Sequence, residues 1–344
     1  MLRCVANLPT LPGVYEVGVA GGVEFMSDVP IRHSRKMRAL MLQANKAKST
    51  GAMLGLLAKI RPGHLSPELP AIAEFSTGET MGHSADRLAA TFGVTRQEQD
   101  DFSMRSHALA KAAAEAGHLT DIIPVKTPKG KDFVTADNGI RIVGAEKMAK
   151  LKPAFIKPHG TVTAANSSFL TDGASAALVM TEEKAKQLGL TPKAYFRAFT
   201  YVSQDPKDQL LLSPAYVTPV ILKKQGLTLK DIDVLEYHEA FAGQILANLK
   251  AMGSDKFCQE HMGLKEKVGE VDMDKFNKWG GSLSIGHPFG ATGVRLCMHA
   301  ANRMIKEDGK FAMLAGDLAG NFYNWFEVYT LNCINKELIS SVNE

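Results

Sequence analysis

Apolar and polar positions follow two regular patterns after residue 170. Short apolar or small-residue runs that indicate β-strands lie at 174–180, 194–202, 232–237, 281–285 and 310–315. Among them, longer stretches with helical spacing lie at 181–189, 218–226, 240–252 and 289–306. Strands that alternate with helices at this spacing predict an α/β domain. A further apolar run at 326–331 is compatible with a last strand.

The first half of the chain is less regular. Residues 15–20 are rich in valine and precede Gly21 and Gly22, the pattern of a buried strand that enters a tight turn. Thr95 and Glu98 form a capping box, so a helix should begin there and end at Gly117. Residues 122–125 predict another strand, followed by a basic turn at 126–131.

Residues 32–61 form a basic segment with eight Lys or Arg residues, and no acid occurs between Asp28 and Glu68. Its apolar residues follow helical spacing, and Gly51 should divide it into two amphipathic helices that prolines end. A basic amphipathic pair of helices can lie on an anionic membrane surface. The alternative is a helical hairpin packed on its own protein, with Lys and Arg stems covering apolar surface.

Composition narrows the class of protein only slightly. A chain of 344 residues that is 45% hydrophobic and 22% charged has enough material for one large or two medium domains. No apolar run approaches the roughly 18 residues of a membrane span, and a net charge of +4 indicates neither nucleic acid nor another particular partner. Residues 1–12 contain no secretory core and are too short to predict a transit peptide.

The four cysteines are far apart without metal-ligand spacing, which argues against a zinc site or a disulfide framework and favours a reducing compartment.

A first turn that could carry chemistry contains His238 and Glu239, where the strand at 232–237 leads into a helix. Polar side chains at the carboxyl ends of strands in α/β folds tend to face a ligand crevice. His238 could therefore polarise a carbonyl group or hold a water. The alternative is a satisfied structural histidine beside a helix-start acid.

A second turn, Gly286, His287 and Pro288, lies in a glycine-rich stretch at 279–293. Small residues let backbones approach closely, and Pro288 suits the first turn of a helix. The start of that helix offers positive potential to an anion or a developing oxyanion. The glycine spacing excludes a dinucleotide-binding fingerprint. A packing turn with an incidental histidine is the alternative, and the concentration of glycines favours function over it.

A small polar segment at 160–168 contains Asn166 and Ser168 and precedes the strand at 174–180. It could line a channel for an extended ligand. It could equally be a turn in which Asn and Ser side chains bond their own backbone.

Together these motifs resemble the thiolase superfamily. The resemblance rests on Gly-His-Pro followed by Gly-Ala-Thr-Gly, His-Glu-Ala-Phe at 238–241, Thr-Ala-Ala-Asn-Ser-Ser at 163–168 and Ala-Gly-Gly-Val-Glu at 20–24, and it covers about residues 17–316. His238 in place of the more usual Asn, and the basic insertion after Glu24, are similar to the β subunits of mitochondrial trifunctional proteins. Those subunits are long-chain 3-ketoacyl-CoA thiolases of fatty-acid β-oxidation.

The resemblance implies an acetyl-CoA C-acyltransferase that cleaves a 3-ketoacyl-CoA, with coenzyme A (CoA) as a substrate and no cofactor or metal. In that family the histidine matched by His287 activates a nucleophilic cysteine and, with the residue matched by His238, holds the water of an oxyanion hole. Ser168 matches a serine beside the pantetheine arm, Met81 matches a residue of the acyl pocket, and Asn166 lies in the same CoA-binding segment. Further implications are a homodimer, a complex with a hydratase/dehydrogenase α subunit, and the matrix face of the mitochondrial inner membrane.

Neither of the two family cysteines has a counterpart at its expected position. The nucleophile should lie further upstream of Ala20 than the printed sequence reaches, and Cys4 lacks the family's surroundings. The second cysteine should follow the strand at 311–314 in a C-x-x-G segment, where Asp317 stands instead. Without a thiolate the acyl-enzyme step loses its covalent route. Asp317 would be anionic unless its pKa were raised, and it would oppose a nearby carbanion. Cys297, on the helix at 289–306, is expected in the core.

The expected fold class is therefore α/β and thiolase-like, with the first α/β half largely missing. Residues 13–24 and 172–185 would be the remnant of that half, so that the strand at 15–20 would lack a partner sheet and expose apolar surface. Residues 25–171 would form an inserted loop domain, 190–331 a nearly complete C-terminal half, and 332–344 an unmatched tail. This predicts a thiolase copy, truncated or aberrantly spliced at both ends, that is inactive as written. The rival hypotheses are a non-catalytic CoA-binding or scaffold subunit and a membrane-surface module.

Overall fold

A seven-stranded mixed β-sheet organises the chain. The computed structural model describes residues 2–6, 15–68, 73–74, 76–127, 130, 132–316 and 326–332. The strands are β1 (Leu2–Ala6), β2 (Val17–Glu24), β3 (Arg32–His33), β4 (Pro67–Glu68), β5 (Val125–Lys126), β6 (Phe133–Val134), β7 (Gly173–Met180), β8 (Ala194–Val202), β9 (Val234–Tyr237), β10 (Phe311–Gly316) and β11 (Phe326–Asn332). The helices are α1 (Arg35–Ala44), α2 (Thr50–Leu57), α3 (Pro62–Leu65), α4 (Met81–Thr91), α5 (Arg96–Glu115), α6 (Ala145–Ala149), α7 (Glu182–Gln187), α8 (Ser213–Gln225), α9 (Ala242–Met252), α10 (Asp255–Met262), α11 (Ser282–Ile285) and α12 (Phe289–Glu307).

The strand order in the large sheet is β2-β7-β1-β8-β11-β10-β9. β1 runs parallel to β7 and β8, and β9 runs parallel to β10. β2 is antiparallel to β7, and β11 is antiparallel to β8 and β10. Strands joined by helices run mostly parallel because a crossover connection returns the chain in the same direction. The prediction of an α/β fold is therefore confirmed, together with a last strand over 326–332.

Two hydrophobic clusters cover opposite faces of this sheet. Leu235 and Met313 point into the larger cluster, which α8 and α9 complete. The neighbouring positions Val234 and Ala312 point into the second cluster, which is formed largely by α12. Successive side chains of a strand face opposite sides of a sheet, so β9 and β10 separate the two cores. Every residue of β9 is buried.

α4 and α5 pack beside α9 and bring the segment before β7 next to the C-terminal part of the sheet. The capping box predicted for α5 is confirmed, since Thr95 Oγ1 accepts from Glu98 N at 3.2 Å and Glu98 Oε2 accepts from Thr95 N at 2.6 Å. Gly117 follows the helix with a φ of +68°, as a glycine at a helix end does. This local prediction holds because capping depends on only a few neighbouring residues.

α1, α2 and α3 carry the basic segment, and α1 contacts both α2 and α3. None of their residues is buried, so the structure does not support a hairpin packed on its own protein. Gly51 does not divide the helices, because it lies in the first turn of α2, whose N-cap Ser49 accepts from Ala52 N at 3.2 Å. Among the residues that the structure describes, no helix is long and apolar enough to cross a membrane.

Three further expectations are wrong. Residues 281–285 form no strand, because Ser284 N and Ile285 N both donate to Gly281 O at 3.0 Å and close the helical turn of α11. Residues 122–124 are irregular, and only Val125–Lys126 pairs, with Phe133–Val134. The strand predicted at 15–20 does not lack a partner, because β2 pairs with β7 along its whole length.

Candidate active site

His238 directly follows β9, as predicted, and its side chain is only 1% exposed. Its backbone N–H donates to Ala315 O of β10 at 2.8 Å, which fixes the turn to the sheet edge. Nδ1 lies 2.7 Å from Ser282 Oγ. Nε2 is buried without a hydrogen-bond partner among the described residues. A buried polar atom without a partner is costly, so this nitrogen marks a place where a ligand atom or a water would be stabilised.

His287 lies between α11 and α12 rather than between a strand and a helix. Its side chain is 9% exposed, and its backbone N–H donates to Thr171 Oγ1 at 3.0 Å. Its Nδ1 lies 2.8 Å from Thr292 Oγ1, in the first turns of α12. Pro288 is the N-cap of α12 and not its first residue, and its carbonyl oxygen accepts from Thr292 N at 2.9 Å. The ring thus stands at the positive end of a 19-residue helix.

Glycines are required where this turn meets its neighbours. Gly286 has a φ of +92°, and a Cβ there would lie 2.4 Å from Thr171 Oγ1. A Cβ on Gly22 of β2 would overlap Gly290 O. The glycines of the two motifs therefore permit close contact between β2 and the start of α12, and they hold His287 in place.

The structure brings the two predicted histidines together. The ring centroids of His238 and His287 are 3.8 Å apart, with an angle of 35° between the ring planes. Burial, the neighbouring His287 ring and Arg295 hold the pKa of His238 well below its usual range. Burial and Arg295 lower the pKa of His287 to about 3. Both rings are therefore neutral near pH 7, the form in which an imidazole can accept a proton.

Arg295, on α12, was not singled out in the sequence. Its Nη2 donates to Ser282 Oγ at 2.8 Å, and Ser282 in turn contacts His238. Thr292 and Ser282 lie inside the glycine-rich stretch but carried no predicted role. Residues three or four apart on a helix share a face. The spacing between Thr292 and Arg295 could therefore have identified these two residues from the sequence.

Glu239 links the His238 turn to neighbouring elements through hydrogen bonds. The carboxylate is fully buried and accepts from Ser106 Oγ at 2.7 Å, Asn277 Nδ2 at 2.7 Å and Leu283 N at 3.2 Å. Burial raises the pKa of Glu239, and these three donors oppose that effect. Glu239 thus connects β9, α5 and α11, and a Cβ on Gly281 would lie 2.3 Å from its carboxyl carbon.

The polar segment at 160–168 lies against the His238 turn. Ser168 N donates to Ala240 O at 2.9 Å, two residues beyond His238. Asn166 is fully buried, its Nδ2 donates to Asp100 Oδ1 at 3.0 Å, and its Oδ1 accepts from Thr163 N at 2.7 Å. The turn interpretation thus accounts for Asn166, while the partly buried Ser168 adjoins the histidine turn.

The other predicted positions lie apart or outside the description. Met81 begins α4 and packs against the main core. Cys297 is buried in the second cluster, as predicted, and Cys4 lies on β1 between β7 and β8. Asp317 lies outside the described residues. Within the described ranges, no three His, Cys, Asp or Glu side chains are grouped as metal ligands.

Known proteins resemble this chain in sequence along most of its length. The family described as "Thiolase, N-terminal domain" matches residues 10–183, and "Thiolase, C-terminal domain" matches residues 190–320. The mitochondrial trifunctional enzyme subunit beta of Mus musculus is 67% identical over 308 residues, which are 90% of this chain and 65% of that protein. A probable 3-ketoacyl-CoA thiolase of Caenorhabditis elegans is 62% identical over 88% of this chain and 68% of its own length. The chain thus spans 65% of the length of its mammalian relatives.

Solved structures support the same fold. An acetyl-CoA acetyltransferase from Syntrophomonas wolfei matches with a TM-score of 0.74 and 27% identity over 93% of this chain and 73% of that protein. The human mitochondrial 3-ketoacyl-CoA thiolase in complex with CoA matches with a TM-score of 0.70 and 26% identity, over 94% of this chain and 72% of that protein. Because the two thiolase domains match residues 10–183 and 190–320, this chain belongs to the thiolase family.

Proposed function

We propose that this chain is a 3-ketoacyl-CoA thiolase, an acetyl-CoA C-acyltransferase of fatty-acid β-oxidation, with His238 and His287 in its active centre. The observation that carries the proposal is the contact between these two buried rings, 3.8 Å apart. The reaction would convert a 3-ketoacyl-CoA and CoA into acetyl-CoA and a shortened acyl-CoA, without a further cofactor. The name of the nematode relative, a probable 3-ketoacyl-CoA thiolase, supports this substrate class.

In this proposal the two histidines have different roles. His287 is a neutral ring at the start of α12, so it can take the proton of a thiol while the helix dipole favours the resulting thiolate. Nε2 of His238, which has no partner among the described residues, is available to the carbonyl oxygen of the thioester, directly or through a water. Electrostatic stabilisation of that oxygen is worth most in a buried site.

We also propose that the chain as written does not complete acyl transfer. The covalent step needs a thiolate beside the base. Cys258 is buried on α10, where its Sγ lies 3.5 Å from Ala251 O, and Cys297 packs in the second cluster with Val234. Neither of these two thiols, the ones whose side chains the structure describes, belongs to the histidine site. A CoA-binding subunit without turnover is therefore the second candidate function.

CoA would bind along the segment that contains Ser168. Its contact with the His238 turn supports a place for Ser168 beside the pantetheine arm. Asn166 would hold that segment in place, since its side chain already bonds protein groups. Met81, at the start of α4, would line the acyl pocket.

Residues 25–171 would form the inserted loop domain, because they leave and rejoin the sheet between the paired strands β2 and β7. Residues 13–24 and 172–185 would then belong to the N-terminal half, and 190–331 to the C-terminal half.

Binding of CoA can be tested by thermal unfolding. CoA at 100 times its Kd should raise the free energy of unfolding by about 2.7 kcal/mol and the Tm accordingly. Ser168→Phe should abolish the rise because the aromatic ring would occupy the place proposed for the pantetheine arm. Ala164→Phe, on an exposed position of the same segment, is the matched control and should retain it. A wild-type Tm that does not respond to CoA would contradict the proposal.

Turnover is measured by incubating the chain with a 3-ketoacyl-CoA and CoA. We expect no loss of the enolate absorbance of the substrate and no acyl adduct by mass spectrometry. Turnover with an adduct on Cys4 would overturn the proposed inactivity and leave the thiolase assignment intact.

The basic segment would bind the mitochondrial inner membrane from the matrix side. α1 to α3 have no buried residue and expose Leu42, Leu54 and Leu65 by 60–65%. Apolar side chains among Lys and Arg suit the headgroup region of an anionic bilayer. The mitochondrial relatives support the compartment.

Co-sedimentation with anionic vesicles at low salt tests this surface. Each Lys or Arg near such a membrane contributes about 1 kcal/mol, so replacing Lys46, Lys48 and Lys59 by Gln should weaken binding about 100-fold. The matched control replaces three exposed lysines elsewhere, Lys111, Lys186 and Lys230. Equal loss in both triple variants would show that the segment is not the binding surface.

We further propose a homodimer and a complex with a hydratase/dehydrogenase α subunit. β2 is an edge strand of the sheet and exposes Val19 by 67% and Val23 by 72%. An open apolar edge is normally covered by another chain. Light scattering should give about twice the 37.2 kDa mass of one chain, and a monomer at micromolar concentration would contradict the dimer.

A further inference from the structure

We infer that Arg295 and Ser282 are positioning residues that place the ring proton of His238 on Nε2. This deepens the proposed function, because it rests on His238 as the donor to an oxygen of the substrate or its water. Ser282 is fully buried at the start of α11, and Arg295 lies two turns into α12. The two residues come from separate elements and contact each other directly at Ser282 Oγ, next to His238.

The two hydrogen bonds of Ser282 Oγ show which atom is the donor in each. Its Oγ lies 2.8 Å from Arg295 Nη2 and 2.7 Å from His238 Nδ1. A guanidinium group has only donors, so Ser282 Oγ accepts from Arg295. The single hydroxyl proton is then available for His238 Nδ1, which must accept it. In the reverse arrangement both neighbours would donate to Ser282, and its own buried proton would have no acceptor among these contacts.

A neutral imidazole that accepts at Nδ1 carries its proton on Nε2. Nε2 is the buried atom of His238 without a partner among the described residues. His238 therefore presents an Nε2–H donor, rather than a lone pair, to the place where an oxygen would bind. An oxyanion requires such a donor, and a lone pair would repel it.

Thr292 has the opposite effect on His287. Thr292 Oγ1 lies 3.0 Å from Pro288 O and 2.8 Å from His287 Nδ1. Two oxygens attract at this distance only with a proton between them, so Thr292 donates to Pro288 O and accepts from His287 Nδ1–H. Nε2 of His287 then has the lone pair that a base needs. The stacked rings thus present one donor and one acceptor from two adjacent and otherwise identical side chains.

Nitrogen-15 NMR of histidine-labelled protein tests the inference without any turnover. In the wild type, the Nε2 signal of His238 should be that of a protonated nitrogen, and Nδ1 that of an acceptor that receives a hydrogen bond. The His238 signals are identified by their loss in His238→Asn. Ser282→Ala should move Nδ1 toward the shift of an acceptor without a hydrogen bond, while Ser282→Thr, which keeps the hydroxyl, should restore it. Arg295→Met should move the Nδ1 signal part of the way toward that shift. Without the Arg295 donor, the hydroxyl proton of Ser282 is no longer directed toward His238.

Ser284→Ala is the matched control. Ser284 is equally buried on α11, but its Oγ donates to Gly281 O at 2.9 Å and contacts Ser106 Oγ at 3.1 Å. Its removal should leave the Nδ1 signal of His238 unchanged. A wild-type proton on Nδ1, or equal shifts in the two alanine variants, would overturn the inference. If Ser282→Ala fails to fold, the wild-type spectrum alone decides. Because CoA binding is measured separately, failure of the proposed function is distinguishable from failure of this inference.

Discussion

Replacing Arg303 by methionine is expected to lower the free energy of unfolding by about 3–5 kcal/mol. Arg303, on α12, is fully buried, and its Nη1 donates to the equally buried carboxylate of Glu236 on β9 at 2.6 Å. It also donates to Leu235 O at 3.3 Å and Lys275 O at 3.0 Å. Methionine fills similar space but leaves the buried Glu236 carboxylate without its guanidinium partner, whereas Leu235 O and Lys275 O still accept from Asn277 N and Leu235 N. Chemical denaturation of wild type and variant measures the difference.

Two controls separate the lost ion pair from other causes. The double variant Glu236→Leu/Arg303→Met should cost less than the single variant, because it leaves no buried unpaired charge. Lys186→Met breaks the exposed pair with Glu182, 2.9 Å apart, and should change stability by at most about 1 kcal/mol. A cost of Arg303→Met as small as that of Lys186→Met would contradict the expectation.

Acidification from about pH 7.5 to about pH 5 is expected to destabilise the protein by about 2 kcal/mol through His287, and His238 should add to this loss. The pKa of His287 in the folded chain is about 3, below its usual value of 6.5, and that of His238 is also well below 6.5. At a pH between its folded-state pKa and its usual pKa, each ring binds a proton only after unfolding. The unfolded chain therefore holds more protons, and the stability that is fully present above pH 6.5 declines as the pH falls.

The variant His238→Asn/His287→Gln isolates this contribution. Its free energy of unfolding, measured by chemical denaturation at a series of pH values, should depend on pH less steeply than that of the wild type. The pKa of His107 is also lowered by burial, but His107 is present in both proteins and cancels. Identical slopes in the two proteins would show that neither ring is held neutral by the fold.

Both predictions concern the same junction of β9 and α12. Glu236 lies two residues before His238, and Arg303 lies on the helix that begins beside His287. The ion pair thus ties together the two elements that bring the rings into contact. Because such a pair has a large desolvation cost, we expect it to contribute more to one specific packing of helix on strand than to net stability.

The amino-acid sequence by itself determined the α/β class, the family and the identity of the two histidines. Periodicity and capping involve a few neighbouring residues, so Thr95 was correctly predicted to begin α5, and Gly226 ends α8 in a left-handed conformation. His238 and Gly286–His287–Pro288 were recognisable because their motifs are contiguous. The limits of local pattern appear at 281–285, where small residues suit a short strand or a helical turn equally well.

Tertiary structure alone decided how these parts act on one another. His238 and His287 are far apart in the chain, and only the packing of α12 against β9 and β2 brings their rings to 3.8 Å. The bond of Arg295 to Ser282, and through it to His238, joins elements whose relation no local pattern encodes. The exposure of α1 to α3 was likewise open between two interpretations until their surroundings were known. Hydrogen-bond direction, burial and pKa depend on which distant groups the fold brings together, and a linear pattern does not contain that information.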